Sequence, residues 1–312
     1  MEIALDFNQV SKRYQSGDFW RPIRAQALKK INFQVKTGDV FGLIGLNGAG
    51  KTTLMKTAVG LLRPDLGSVT IFGQSPQDIE TRRRFGYLPE LPYFPKYLSA
   101  WEVLKFYGRL HGLSGPALRG RCEETLRTVG IWEAAKDPIA RYSKGMQQRV
   151  GLAQTLLHRP ELVFLDEPMS GLDPKGTKEM RDVILDLRSQ GKTIFFNSHS
   201  LAEVERICDS VGIMHHGTML RVEHVAELIV GYASNVTLGL GELSEPALKK
   251  VKALKLKMRR ENRIWTVEAP HKRLSVTLDR LRKAGAPDPS VLSYGSPLET
   301  AFLTLTAEAD RA

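Results

Sequence analysis

"VFGLIGLNGAGKTTLMKTAVGLL", residues 40 to 62, decides the fold. Its opening, Val40 to Ile44, carries no polar side chain, as expected of a strand covered on both faces. Gly45 to Thr52 then satisfies the spacing G-x-x-x-x-G-K-[ST], and a helical apolar pattern follows from Thr52. Strand, glycine-rich loop and helix in that order make a phosphate cradle. Glycines let backbone N–H groups curl around oxygens, and the helix N-terminus adds positive potential. Lys51 is expected to reach the β and γ phosphates of a nucleotide, and the Thr52 hydroxyl to ligate Mg²⁺. Asn47, Gly48, Ala49, Gly50 and Thr53 complete the predicted loop.

Two further strand ends supply the remaining chemistry. "LVFLDE", residues 162 to 167, ends an apolar strand in paired carboxylates. Asp166 is placed to hold Mg²⁺, and Glu167 to orient an attacking water and draw off its proton. "FFNSHS", residues 195 to 200, puts His199 just past another apolar strand. Parallel strands open onto one edge of their sheet, so the three ends should meet there, with the imidazole able to hydrogen-bond a terminal phosphate. The doublet His215–His216 has no such company and reads as a turn.

"RYSKGMQQRV", residues 141 to 150, poses a puzzle, because it too looks built to hold an anion. Ser143 reads as a helix N-cap, followed by Met146, Val150, Ala153, Leu156 and Leu157 on one face until Pro160. A chain with one phosphate loop has no evident need of a second device. Lying beyond a helical insertion, this one is poorly placed to reach Lys51 of its own chain.

The surrounding sequence is that of a folded protein. Of the 312 residues 42% are hydrophobic and 25% charged, and no apolar run approaches the length of a membrane-spanning helix. No secretion signal is predicted. Cys122 and Cys208 stand far apart, without metal-ligand spacing, and read as ordinary thiols of a reducing compartment. The net charge of +11 suits nucleic acid, an acidic membrane or an anionic substrate, and does not choose among them.

Residues 1–222 alternate strands and helices, the pattern of an α/β domain on a mostly parallel sheet, with early strands of antiparallel type. A helical subdomain is expected over about 85–160, opening with the proline- and aromatic-rich run from Phe85 to Gly115, which suits either a local core or a docking surface for another protein. Residues 223–312 read as a linker helix and a small α+β accessory domain. There the stretch from Lys249 to Arg263 sets eight basic residues against Glu261, in a pattern that fits strand and helix alike. It reads as a solvated face or as a contact for acidic lipid.

Taken together, "GLNGAGKTT", "YSKGMQQRV", "FLDEPMSGLDP" and "NSHS" in this order resemble the nucleotide-binding subunit of an ABC transporter, over residues 1 to about 222. The resemblance implies ATP and Mg²⁺ as cofactors, ATP hydrolysis, and a head-to-tail homodimer in which Ser143 and Gly145 of one copy close over ATP on the other. It further implies adenine stacking on Tyr14, a connecting role for Asp173 in "SGLDP", and a Mg²⁺ contact from Glu90, where the family usually has glutamine. At the signature, Lys144 and Met146 replace a glycine and a glutamine. Both variants are similar to those of bacterial exporter ATPases, and the tail "SPLETAFLTLT" resembles the ending of their C-terminal domain. The implied partner is a separate integral membrane permease, which places the chain at the cytoplasmic face of the bacterial inner membrane. The alternative is a soluble ABC ATPase acting on nucleic acid or ribosomes. The short spacing from Lys51 to Ser143 and the single cassette speak against it, and no nucleic acid is expected.

Overall fold

The computed structural model describes residues 2–16, 23–232, 235–261, 264–270, 273–294 and 296–311. They fall into two compact units, Met1–Glu223 and His224–Ala312. The first begins with an antiparallel pair, β1 (Ile3–Ser16) and β2 (Ile23–Lys36), followed by β3 (Val40–Gly45), α1 (Lys51–Ala58) and β4 (Leu66–Ile71). A short α2 (Ile79–Arg82) and β5 (Phe85–Leu88) lead to three helices, α3 (Ala100–Leu110), α4 (Gly115–Thr128) and α5 (Lys144–Leu156). Alternation resumes with β6 (Leu162–Asp166), α6 (Pro174–Ser189), β7 (Thr193–Asn197), α7 (Leu201–Ile207), β8 (Ser210–His215) and β9 (Thr218–His224).

The main sheet has the order β5-β6-β7-β3-β8-β9, with parallel pairing from β5 through β8. Every residue of β3, β6, β7 and β8 is buried, which is why these strands read as unbroken apolar runs. Register does the positioning: Asn197 lies opposite Asp166 on one side and Leu43 on the other. The carboxyl ends of β3, β6 and β7 thus come side by side.

A second sheet, β2-β1-β4, is antiparallel. Phenylalanines tie it to the first. Phe7 stacks on Phe33 at 4.6 Å between ring centroids, Phe33 on Phe41 at 5.2 Å, and Phe41 on Phe195 at 5.4 Å. All lie in one buried cluster, and burying each ring contributes about 1.5–3 kcal/mol. This aromatic column fixes β3, and with it the loop that follows, against β1 and β2.

The helical segment does not start at residue 85. Phe85–Leu88 pairs in parallel with Leu162–Leu165 and forms the edge of the main sheet, so the first long helix opens only at Ala100. There Ser99 and Glu102 make a reciprocal capping box. The first unit's last histidines divide: His215 closes β8, buried, and His216 takes a left-handed turn at φ 45°.

In the second unit α8 (Val225–Gly231) is followed by β10 (Asn235–Gly239), α9 (Glu245–Ala253), β11 (Lys257–Glu261) and β12 (Ile264–Pro270). It ends with α10 (Leu274–Lys283), β13 (Ser290–Tyr294) and α11 (Pro297–Ala309). The sheet order is β11-β12-β10-β13, antiparallel throughout. The basic run is therefore half helix and half strand, which explains its mixed periodicity. Val251, Leu254, Leu256 and Met258 turn into the core, and Lys252 and Arg260 lie near the Trp265 ring. Arg263 lies outside the described residues. Among the described residues no helix is long and apolar enough to cross a membrane.

Candidate phosphate-binding site

The loop between β3 and α1 is shaped by its glycines. Gly50 has φ 103°, and a Cβ there would sit 2.5 Å from the Ala27 carbonyl oxygen. At Gly45 a Cβ would meet the Met214 carbonyl oxygen at 2.6 Å. Backbone on both sides leaves these positions no room for a side chain. The loop and strand ends enclose a cavity of about 450 Å³ lined by Asn47, Gly48, Gly50, Lys51, Thr52 and Thr53, with Glu90, Glu167 and His199 facing them.

Lys51 is buried, its Nζ donating to the carbonyls of Gly45 (2.7 Å) and Leu46 (3.3 Å). Burial lowers its pKa, and the nearby charges of Glu167, Asp166 and Glu90 work against that shift. Beneath it Asp166 accepts from Asn197 Nδ2 at 2.6 Å and from the Tyr87 hydroxyl at 3.5 Å. Burial raises the Asp166 pKa. The Asn197 hydrogen bond opposes this, while Glu167 and Glu90 add to it. The Tyr87 phenol pKa is raised as well, first by burial and then by Asp166.

Glu167 adopts a left-handed backbone at φ 49°, its N–H donating to the Asn197 carbonyl at 3.0 Å. Such a conformation in a non-glycine residue costs about 1–3 kcal/mol and is typical of sites where the side chain must be aimed. Here it directs the carboxylate to His199, whose Nδ1 lies 2.7 Å from Glu167 Oε2 and whose backbone N–H donates to the same oxygen at 3.3 Å.

Three carboxylates, Asp166, Glu167 and Glu90, thus face one ammonium. Glu90, Glu167 and Thr52 line the cavity with hard-oxygen donors, Asp166 lies close by, and among the described residues the Asn197 Oδ1 is buried without a hydrogen-bond partner. That excess of negative charge and the unused acceptor fit a divalent cation such as Mg²⁺.

Other sequence candidates fall elsewhere. Tyr14 stands at the margin, 39% exposed, its hydroxyl 3.5 Å from Thr53 Oγ1. Ala49 is buried and donates its N–H to Leu46 within the loop, at 3.1 Å. Ser143 and Gly145 line a separate cavity of about 580 Å³, shared with Asp173. Ser143 caps α5, its Oγ accepting from the Met146 N–H at 3.2 Å, and Asp173 caps α6, accepting from Gly176 at 2.7 Å. Lys144 is the first residue of α5 and is not among the positive-φ residues, so its replacing glycine carries no backbone strain. Its side chain lies across Gly171, where any Cβ would collide with Nζ.

Asn197, Tyr87 and Ala27 belong to the site and do not stand out in sequence. The one available signal was an asparagine at the end of an otherwise apolar strand, two residues before His199.

Residues 28–170 match the family model described as ABC transporter. An uncharacterized ABC transporter ATP-binding protein of Synechocystis is 46% identical over 71% of the chain, and the match spans 63% of that protein. The bacitracin transport ATP-binding protein BcrA of Enterococcus faecalis is 37% identical over 73% of the chain and 71% of its own length. Among solved structures, a dimeric ATP-binding cassette, MJ0796, bound to ADP and Pi after hydrolysis, superposes with a TM-score of 0.64 at 24% identity. It covers 71% of this chain and 98% of that one, and at that identity the likeness concerns the fold.

Proposed function

We propose that this chain, which belongs to the ABC transporter family as an ATP-binding ATPase subunit, hydrolyses ATP between two head-to-tail copies and thereby drives a separate membrane permease, for export. The observation that carries the reading is the division of phosphate-directed groups between two cavities. Lys51, Glu167 and His199 line one, and Ser143, Gly145 and Asp173 line the other. One site assembled from both needs a second copy.

In this reading the triphosphate lies along the amides of the loop from Asn47 to Thr53. The Lys51 ammonium exchanges the carbonyls of Gly45 and Leu46 for β and γ oxygens. Tyr14 packs on the adenine. Thr52, Asp166 and Glu90 would hold Mg²⁺, which neutralises charge developing on the transferred phosphoryl group. Asn197 and Tyr87 keep the Asp166 carboxylate oriented through their hydrogen bonds.

Glu167 accepts the proton of the attacking water. His199 already presents Nδ1 to Glu167. Donating from Nε2 to the γ-phosphate at the same time requires the imidazolium, or a rotation that releases Glu167 to the water. Either way the imidazole senses whether the γ-phosphate is present. Ser143 Oγ, the Gly145 N–H and the α5 N-terminus close over that phosphate from the partner copy.

The permease contact is assigned to the exposed aromatic and aliphatic side chains before and on α3. Tyr93 is 86% exposed and Tyr97 80%, with Leu91, Phe106 and Leu110 also exposed. So many large apolar groups on one segment suit a protein interface. The export direction draws on relatives such as the fluoroquinolones export ATP-binding protein MT2762 of Mycobacterium tuberculosis, 36% identical to this chain.

Glu167→Gln keeps the shape and removes the base. It should trap an ATP-bound dimer in size-exclusion chromatography and nearly abolish phosphate release. Normal turnover in that variant would remove Glu167 from its role. Ser143→Arg should abolish turnover while each chain still binds ATP, and a loss of ATP binding would put Ser143 in its own chain's site.

A further inference from the structure

The helical layer holds a cleft of about 870 Å³, larger than the cavity at the phosphate loop and within the range that encloses a small organic ligand. One wall is α3, which turns Trp101, Lys105 and Arg109 to the same side at a spacing of four residues. The opposite walls are the start of α4 and the segment from Trp132 to Lys136. They are held in place without a ligand. The Trp101 backbone N–H donates to the Ala135 carbonyl at 2.9 Å, and the Tyr142 hydroxyl to the Ala134 carbonyl at 2.6 Å.

The cleft carries an excess of positive charge. Lys105, Arg109, Arg119 and Lys136 line it against a single acid, Glu133, and among the described residues none of the four makes a salt bridge or a side-chain hydrogen bond. Elsewhere in this layer several arginines are paired: Arg121 and Arg159 with Glu124, Arg127 with Glu123, and Arg149 with Glu179. Four cations outside such pairs surround this one cavity. The N-terminus of α4 opens there too, since Ser114 and Gly115 are lining residues. Its cap makes no side-chain hydrogen bond, and its first turn holds no acid. Guanidinium forks and a helix N-terminus both favour phosphate oxygens.

The rest of the lining is apolar, with two indoles among it. Trp101 and Trp132 meet edge to face, with ring centroids 5.8 Å apart and planes at 71°. Arg127 covers Trp132 at 4.6 Å. Indole rings beside these cations suit one molecule that carries both a flat ring and an anion.

We propose that this cleft is a second anion site, which takes a small organic phosphate bearing a planar ring, of the nucleoside monophosphate class. Trp132 and Glu133 also line the cavity that holds Ser143 and Gly145. Occupancy therefore bears on the start of α5 and gives the ATPase a means of responding to a ligand other than ATP.

The test uses the full chain carrying Lys51→Ala, which weakens phosphate binding at the loop. AMP, adenosine and inorganic phosphate are titrated separately by calorimetry. AMP should bind at one site per chain, at least tenfold more tightly than adenosine or phosphate alone. Adding Arg109→Glu with Arg119→Glu should weaken AMP at least tenfold and leave the far-UV circular dichroism unchanged, as both side chains are exposed. Lys136→Glu, on the opposite wall, should weaken it in the same direction. Equal AMP affinity with and without these charge reversals overturns the proposal, as does the absence of AMP binding. Tighter binding of a glutamate decapeptide than of AMP also overturns it, by assigning the cleft to an acidic protein segment.

Discussion

Asn197→Ala removes a single hydrogen bond and should change the pH dependence of both stability and catalysis. Asn197 Nδ2 is 2.6 Å from Asp166 Oδ1, and both residues are almost fully buried. A hydrogen bond to a buried charged group contributes about 1.5–3 kcal/mol, so losing this one raises the Asp166 pKa further. The other donor, Tyr87, stands at 3.5 Å and compensates little. The sign follows from which form loses the bond. Asp166 already has a raised pKa from burial, so the folded state is favoured when the carboxyl is protonated and disfavoured as pH rises through the folded pKa. Removing the donor enlarges the penalty on the ionised form. The variant should therefore lose about 1.5–3 kcal/mol at neutral pH, and progressively less as pH falls into the carboxylate range. Urea unfolding across pH measures the first effect, and the acid limb of the ATPase pH–rate profile should shift upward with it. A loss of stability equal at every pH would refute the reasoning, because it would mean that only packing had changed.

Other outcomes follow from the same geometry. Gly45→Ala places a Cβ 2.6 Å from the Met214 carbonyl oxygen, so the loop must shift; affinity for a fluorescent ATP analogue should fall at least tenfold, by about 1.4 kcal/mol or more. Phe195→Ala empties the aromatic column between the two sheets and should cost about 3–5 kcal/mol in urea unfolding, with a loss under 1 kcal/mol contradicting the column's role. Tyr93→Asp with Tyr97→Asp should leave soluble ATPase activity intact and abolish recovery of the chain with membranes. Retained membrane recovery would move the permease contact elsewhere.

What sequence revealed and what it hid divide along a physical line. Gly45 to Thr52, the Asp166–Glu167 pair and the Ser143 cap are local devices, whose chemistry depends on neighbours a few residues away, and spacing alone made them legible. The main parallel sheet was legible for a similar reason, because strands covered on both faces carry no polar side chain. Asn197 and Tyr87 stayed hidden because their partner, Asp166, comes to them through strand register, 31 and 79 positions distant. Phe85–Leu88 was read with the helical segment because a four-residue edge strand beside a proline-rich run carries too little periodicity to declare itself. The basic run at Lys249 mixed two periods because it holds the end of a helix and the start of a strand.

Mixing two disabled variants tests the shared-site claim most directly. Lys51→Ala chains lack a working phosphate loop, and Ser143→Arg chains lack a working signature. If each site takes its loop from one copy and its signature from the other, the mixed dimer regains one intact site. An equimolar mixture should then recover up to about a quarter of wild-type ATPase activity, since half the dimers are mixed and each has one of two sites intact. Activity no higher than the average of the two variants measured alone, with mixed dimers demonstrably formed, would contradict a site completed by a second copy.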